Sequence, residues 1–168
     1  MRCKYFCFIF RKMLNMYNCK QHCYVKWFLI LFLGESYFAA RNVAPEDVHI
    51  NGTKKGPISF SGRITESPNL PYNLMTGIFT AHFTGVYWFS ATLNADVTSY
   101  LQCYIVRNFH DYLVELYTAA VDENSSVSAS VVIDLAKGDT IAVTKCEGFA
   151  TINSYKSSFS GFLVNTIS

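Results

Sequence analysis

Several patterns that would place this 168-residue chain in a fibrous, membrane-spanning or nucleic-acid-binding class are missing. It has no Gly-X-Y repeat and no sustained heptad pattern, so neither a collagen stalk nor a coiled coil is expected. The longest apolar run, Trp27 to Leu33, has seven residues, whereas a spanning helix needs about twenty. Residues 41–168 hold eight basic and eleven acidic side chains, a net charge of −3. Binding to nucleic acid is therefore disfavoured, and no stable membrane span is expected.

A recognisable catalytic pattern is also missing. The four histidines stand in no hydrolase or metal-ligand motif. Ser158 and Ser160 have no base nearby in the sequence. We therefore expect a protein without enzymatic activity.

The first 40 residues differ in composition from the rest. They hold six of the 14 Lys and Arg but one of the 12 Asp and Glu, a net charge of +5. Lys20 and Lys26 precede the apolar run, and the small and polar residues Gly34-Glu35-Ser36 follow it. This order is typical of a secretory signal, with Gly34, Ser36 or Ala40 as candidate cleavage positions. We predict a signal peptide or hydrophobic leader over 1–40 and a secreted, extracellular protein; the alternatives are a short signal anchor or an unprocessed N-terminus.

Cysteine is scarce in the residues that follow the leader, which contain only Cys103 and Cys146. An extracellular setting would permit a disulfide between them. Strand alternation places Cys103 on the inward face with Leu101 and Ile105, but it places Cys146 on the face opposite Val143. Pairing would need a bulge or a strand that ends early, so we expect Cys103 to be a small buried core residue instead.

The rest of the chain consists of short apolar runs separated by turn residues. Residues 41–56 are polar and without periodicity, which predicts a short linker before a globular domain over 57–168. Within that domain the spacing predicts antiparallel strands in a sandwich or jelly roll. The strand candidates are Ile58–Ile64, Gly77–His82, Gly85–Leu93, Tyr100–Arg107, Tyr112–Tyr117, Val127–Leu135, Thr140–Lys145 and Ser158–Val164.

Three motifs follow one another in a distinctive order: YNLMTGIFTAHFTGVYWFS over Tyr72–Ser90, KGDT over Lys137–Thr140, and SFSGFL over Ser158–Leu163. This order resembles the globular head domain of complement C1q, a family of the tumour-necrosis-factor-like superfamily. The resemblance covers about residues 57–168. It is carried by Tyr72, Asn73, Gly77, Phe79, Gly85, Tyr87, Phe89, Gly138, Asp139, Phe159, Gly161 and Phe162.

The resemblance implies an all-β, antiparallel jelly-roll sandwich that assembles as a homotrimer. It places Phe159, Phe162, Tyr87 and Phe89 in the core of that sandwich, with the contact between subunits as the other place they could reach. It also implies a stand-alone secreted, non-catalytic recognition module that binds a microbial surface, glycan or protein ligand in innate immunity. A cytokine-like or hormone-like ligand of a cell-surface receptor is the alternative, with an extracellular matrix component as a third reading.

One departure from the family concerns the stretch before Tyr72. Members usually carry an extra pair of short strands between the first strand and the Tyr-Asn motif, whereas here Ile64 is followed almost at once by Tyr72. We therefore expect a fold that lacks a short strand pair near its N-terminus, with a less covered sheet edge.

Two kinds of modification or ligand site are predicted. Some relatives hold calcium through acidic residues on a loop just before the strand matching Val131–Leu135, where this chain has Asp122, Glu123 and Asn124. The resemblance therefore implies a calcium site with hard oxygen ligands, a solvated acidic turn being the alternative. The Asn-x-Ser/Thr sequences at Asn51 and Asn124 predict N-glycosylation.

Overall fold

A computed structural model describes residues 36–43, 46–119 and 125–167. Along most of these ranges, aromatic and β-branched residues alternate with small or polar ones. Within these ranges the chain forms ten strands, and every strand pair is antiparallel. The strands are β1 (Tyr37–Val43), β2 (Val48–Lys54), β3 (Phe60–Glu66), β4 (Tyr72–Asn73), β5 (Ile78–Thr80), β6 (Gly85–Arg107), β7 (Asp111–Ala119), β8 (Ser125–Leu135), β9 (Thr140–Ile152) and β10 (Ser158–Thr166). A short 3-10 helix, Ser154–Lys156, precedes β10. No described residue belongs to a helix that is long and apolar enough to cross a membrane.

The long strand β6 joins two layers. Its first half pairs with β10 and β8, and β10 continues through β1 to β3. Its second half pairs with β7 and β9, and β9 also pairs with β2 and β5. The register between β6 and β9 breaks between Val97 and Leu101, where β6 passes from one layer to the other. The predicted antiparallel jelly-roll sandwich is confirmed, and each of the eight strand candidates overlaps an observed strand.

The core between the layers is filled by aromatic rings from six strands. Phe38 of β1 stacks on Tyr72 of β4 with ring centroids 4.5 Å apart, and it meets Phe159 of β10 edge-on at 5.0 Å. Phe79 of β5 contacts Phe89 of β6 at 5.0 Å. Such pairs contribute about 0.5–1.5 kcal/mol each beyond the area they bury. The hydroxyl of Tyr72 remains satisfied in this core because it accepts a hydrogen bond from the Phe60 amide at 3.1 Å.

The expectation that Phe162 belongs to the core is wrong. Strand alternation in β10 directs Phe159 and Gly161 inward, whereas Phe162 points outward and is 45% exposed. Gly161 faces the rings directly, since a Cβ built on it would lie 2.3 Å from Cδ1 of Phe89. The chain has a glycine there because a side chain at that position would displace the aromatic core.

The predicted linker over 41–56 is also wrong. Residues 41–43 complete β1, and β2 covers most of the remainder. Within this range Val43 of β1 and Ile50 of β2 are buried in the core, whereas the polar residues of both strands are exposed or half-buried. Because so few of these residues are apolar, the alternation was too weak to be recognised as strand. A leader that extended to residue 40 would include the first four residues of β1, which begins at Tyr37, and with them the core residue Phe38.

The expected loss of a short strand pair has the same origin. The segment taken as the first strand is β3, and both β1 and β2 precede it. The short connection between Glu66 and Tyr72 therefore removes no strand from the sheet. β1 lies between β3 and β10, so the edge expected to be uncovered is paired.

Cys103 and Cys146 form a disulfide with a Cα–Cα distance of 4.1 Å, contrary to the sequence expectation. A bulge in β9 makes this pairing feasible. Lys145 adopts a positive φ of 55°, and the register with β6 shifts between Gln102 and Tyr104. The shift reverses the alternation, so that Val143 before the bulge and Cys146 after it both face the core.

A turn between β8 and β9 contains Gly138 and Asp139. Gly138 has a φ of +96°, which favours glycine. The Asp139 carboxylate accepts hydrogen bonds from the Asn108 side chain and from the Ala136 amide, both at 2.9 Å. The pKa of Asp139 is lowered chiefly by the hydrogen bond from Asn108, although partial burial acts to raise it. The hydrogen bond from the Ala136 amide and the positive charge of Arg107 lower the pKa further. Asp139 therefore fastens this turn to the one between β6 and β7.

We expect the disulfide to stabilise the fold measurably. Replacing both cysteines (Cys103→Ala with Cys146→Ala) should lower the free energy of unfolding by about 2–5 kcal/mol, because the closed loop no longer restricts the unfolded chain. Urea unfolding followed by tryptophan fluorescence measures the difference. Reduced wild-type protein should unfold at the same lower midpoint, and an unchanged midpoint in the double variant would contradict the expectation.

We expect the contribution of Asp139 to depend on pH in one direction. Because the pKa of the folded carboxyl is lowered, its stabilisation is present above the ordinary pKa of about 4 and is lost as the pH falls through the lowered value. Asp139→Asn should therefore be less stable than wild type by about 1 kcal/mol at neutral pH, with a gap that closes in acid. Asp134→Asn, at an exposed position on β8, is the control. A gap that stays constant from pH 7 to pH 2 would refute this account.

Candidate recognition surfaces

The outward face of the layer formed by β1, β10, β6 and β8 carries a row of apolar side chains in direct register. Tyr37 lies opposite Phe162, Phe162 opposite Trp88, and Trp88 opposite Val132. Phe162 is 45% and Val132 is 63% exposed. The rings of Trp88 and Phe162 contact each other with centroids 5.2 Å apart. These four residues, the apolar row, form a continuous apolar strip across four adjacent strands.

Small hydroxyl-bearing residues flank the apolar row on the same face. The Ser130 hydroxyl donates to the Ser90 hydroxyl at 3.0 Å, and the hydroxyls of Thr92 and Ser128 lie 2.8 Å apart. These cross-strand pairs satisfy the hydroxyl groups within the sheet. The face is therefore flat beside the strip, which allows close approach of another protein surface.

The outward face of the other layer carries tyrosines instead. We call Tyr100, Tyr104, Tyr112 and Tyr117, on β6 and β7, the tyrosine face. Tyr100 stacks against Tyr117 with ring centroids 6.4 Å apart, and Tyr104 meets Tyr112 edge-on at 4.9 Å. Tyr112 and Tyr117 are each 53% exposed. The rings thus support one another while leaving contact area open to solvent.

A polar network lies among these rings. Gln102 donates to the Tyr104 hydroxyl at 2.6 Å and also to the Glu115 carboxylate, to which the Tyr104 hydroxyl donates at 3.4 Å. Burial raises the pKa of Tyr104, and the negative charge of Glu115 raises it further. The phenol therefore stays protonated and remains a hydrogen-bond donor across the physiological range.

The tyrosine face has the chemistry of a binding surface and no nucleophile poised by a base. Tyrosine offers a large, rigid, amphipathic contact area at low conformational cost, which is why it is enriched in binding loops and interface centres. Here the rings are held on strands, so little order has to be imposed on binding. The arrangement can stack on a ligand and hydrogen-bond to it.

The residues predicted from sequence do not meet at one site. Asp122, Glu123 and Asn124 lie outside the described residues, so the calcium site remains a prediction. Among the residues that the structure does describe, no group of three or more His, Cys, Asp or Glu side chains could hold a metal ion. Asn51 lies on β2 with its side chain exposed. The motif residues Tyr72, Phe79, Tyr87, Phe89 and Phe159 are buried in the core.

Both surfaces were missed by sequence reasoning. Alternation alone would have placed Trp88 outward, between the buried Tyr87 and Phe89, and would have placed Tyr100 and Tyr104 on one face. The register that aligns Trp88 with Phe162 and Val132 was not accessible, because it depends on which strands pair.

The comparisons with known proteins agree with this architecture. The family model for the C1q domain matches residues 40–164. A globular domain of zebrafish complement 1qA protein superposes with a TM-score of 0.61 at 20% identity, covering 79% of this chain and 99% of that one. Murine APRIL does so with a TM-score of 0.60 at 14% identity, covering 77% and 99%. Eiger TNF from S. frugiperda gives 0.57 at 16% identity, covering 80% and 94%.

No curated protein sequence matches the chain. At these identities the solved structures establish the fold alone, whereas the family model covers well over half of the chain. With the motifs and the jelly roll already in place, this match shows that the chain belongs to the C1q domain family.

Proposed function

We propose that the protein is a secreted, non-catalytic recognition module that assembles as a homotrimer through the apolar row. In this proposal it binds microbial-surface, glycan or protein ligands in innate immunity through the tyrosine face. The apolar row is the observation that carries the proposal, because a registered strip of exposed aromatic and aliphatic side chains is the mark of an interaction surface.

The position of the strip supports this assembly. A closed cyclic oligomer buries a different patch on each side of every subunit, so the apolar row of one copy would pack on the neighbouring sheet face of the next. The tyrosine face lies on the opposite layer and would stay accessible. Three copies would then present three tyrosine faces, and weak single contacts would combine into avid binding to a repetitive surface.

Secretion rests on the leader and on where β1 begins. Cleavage after Gly34 or Ser36 would leave β1 whole, whereas cleavage after Ala40 would remove Phe38 from the aromatic core. The buried disulfide is consistent with passage through an oxidising compartment.

A cytokine-like role is the second candidate, and the fold likeness to murine APRIL and Eiger TNF favours it. In that role the same surfaces would engage a receptor on a host cell. It requires the same self-association but a different ligand, so only the binding partner separates the two candidates.

We expect self-association to depend on the apolar row. Static light scattering of the secreted protein should give three times the monomer mass. Trp88→Ser and Phe162→Ser should each weaken association by about 2 kcal/mol, roughly 30-fold, as expected for aromatic residues at an interface centre. Met75→Ser is the matched control because Met75 is 88% exposed and lies outside the apolar row. A wild-type protein that is monomeric at every concentration would refute the assembly.

We expect binding to depend on the tyrosine face. The protein should bind heat-killed bacteria or immobilised glycans, and Tyr104→Ser or Tyr117→Ser should weaken binding by about tenfold as a stacking ring is lost. Tyr155→Ser is the control because Tyr155 is 81% exposed, lies on the 3-10 helix and is not one of the four tyrosines of this face. Saturable binding to cultured host cells with none to bacteria or glycans would favour the cytokine-like role. Binding that is equal in all variants would exclude this face.

A further inference from the structure

A shallow groove of about 310 Å³ crosses the outward face of β2, β9 and β6. Its lining includes His49, Asn51, Asp96, Thr98, Phe149 and Thr151. The Phe149 ring is 47% exposed. The groove therefore combines one open aromatic surface with carboxylate, imidazole, amide and hydroxyl groups, the mixture that suits a sugar ring.

Asn51 and Phe149 are direct cross-strand partners between β2 and β9. Side chains in such a pair project from Cβ atoms about 5 Å apart. A group attached to the amide nitrogen of Asn51 therefore begins within reach of the Phe149 ring.

The surroundings of Asn51 leave room for an attached group. Asn51 and Thr53 are exposed on β2, which pairs with β9 alone among the described strands. Gly52 has a φ of +86°, and a Cβ built on it would meet no atom within 4 Å. The exposed side chains of Asn51 and Thr53 are thus open to solvent on the outward face of β2.

We propose that the groove binds the protein's own N-glycan, with the first N-acetylglucosamine on Asn51 packed over the Phe149 ring. The apolar C–H face of the sugar would rest on the negative face of the ring. Its hydroxyl and acetamido groups would meet the polar groups of Thr98, Thr151 and Asp96. This inference rests on the proposed secretion but not on the proposed ligand.

The modification itself is an ordinary group transfer. The Asn51 amide nitrogen forms a bond to the anomeric carbon of a lipid pyrophosphate-linked oligosaccharide. The bond from that carbon to the pyrophosphate oxygen breaks, the lipid pyrophosphate leaves with the electron pair, and the amide loses one proton. No oxidation or reduction takes place.

A tethered sugar is a better occupant of this groove than a free one. The groove is open and shallow, so a free monosaccharide would gain few contacts against the freedom it loses. A sugar linked to Asn51 has already lost that freedom and is held at high effective concentration beside Phe149. The consequence should be a more stable fold.

The first measurement is the occupancy of Asn51. The full chain should be expressed in secretory animal cells and the protein in the medium analysed by intact mass before and after amidase deglycosylation. Thr53→Ala should remove the glycan assigned to Asn51, and Asn124→Gln should leave it in place. Secreted protein with Asn51 unmodified would overturn this inference alone. Failure to reach the medium would overturn the proposed secretion and this inference together.

The second measurement asks whether the first sugar packs on Phe149. Trimming the glycan to its first sugar with an endoglycosidase should leave the Tm unchanged, whereas complete removal should lower it by about 3 °C. Thr53→Ala should have a Tm that is lower by the same amount. Because this variant lacks the glycan without the charge that amidase treatment introduces at Asn51, it separates the effect of the sugar from the effect of the charge.

The ring variants complete the cycle. In Phe149→Leu the difference in Tm between trimmed and fully deglycosylated protein should vanish, and in Phe149→Tyr it should persist. An equal difference in wild type and Phe149→Leu would show that the glycan acts without the ring and would overturn the proposal. A Tm that falls when the outer sugars are trimmed, and falls no further when the first sugar is removed, would overturn the proposal as well.

Discussion

The packing of the Phe38 ring is the contact on which the rest of the sandwich depends. Phe38 comes from the first strand, yet its ring contacts Tyr72, Phe79, Phe89 and Phe159, which belong to four other strands. Gly161 faces the same rings and leaves the space that they fill. One side chain near the start of the domain thus holds together strands that are far apart in sequence. The aromatic core therefore includes β1, which begins at Tyr37.

The aromatic core determines the surface through strand alternation. Along β6 the rings of Tyr87 and Phe89 are buried, so Trp88 between them must face outward. In β10, Phe159 and Gly161 are directed inward, and Phe162 therefore lies beside Trp88. The apolar row is thus a geometric consequence of the core pattern. The core pattern does not require these residues to be apolar, however, because positions 88 and 162 face outward and a polar residue there would be compatible with the same fold.

Much of the fold was predictable from the sequence, and the failures have identifiable causes. Strands with several aromatic or β-branched residues, such as Gly85–Leu93, stood out by composition and spacing. β2 did not, because four of its seven residues are polar and Ile50 alone is buried. β1 did not, because its first residues continue the apolar leader and only Arg41 to Val43 lie beyond it. The disulfide was missed because a non-glycine residue, Lys145, adopts a positive φ and reverses the alternation. No local pattern indicates such a bulge. The surfaces were missed because they arise from register between strands distant in sequence.

The two layers divide the functional surface between them. Self-association through the apolar row would cover one layer and leave the tyrosine face and the Asn51 groove on the other. On that layer, Glu147 of β9 lies between them, opposite Thr53 on one side and Gln102 on the other. A glycan packed over Phe149 would therefore shield the β2 side of the layer without covering the tyrosines on β6 and β7. A ligand that approaches the tyrosine face would then meet rigid rings on one flank and a sugar on the other. This arrangement would restrict binding to ligands that contact the sheet from the β7 side.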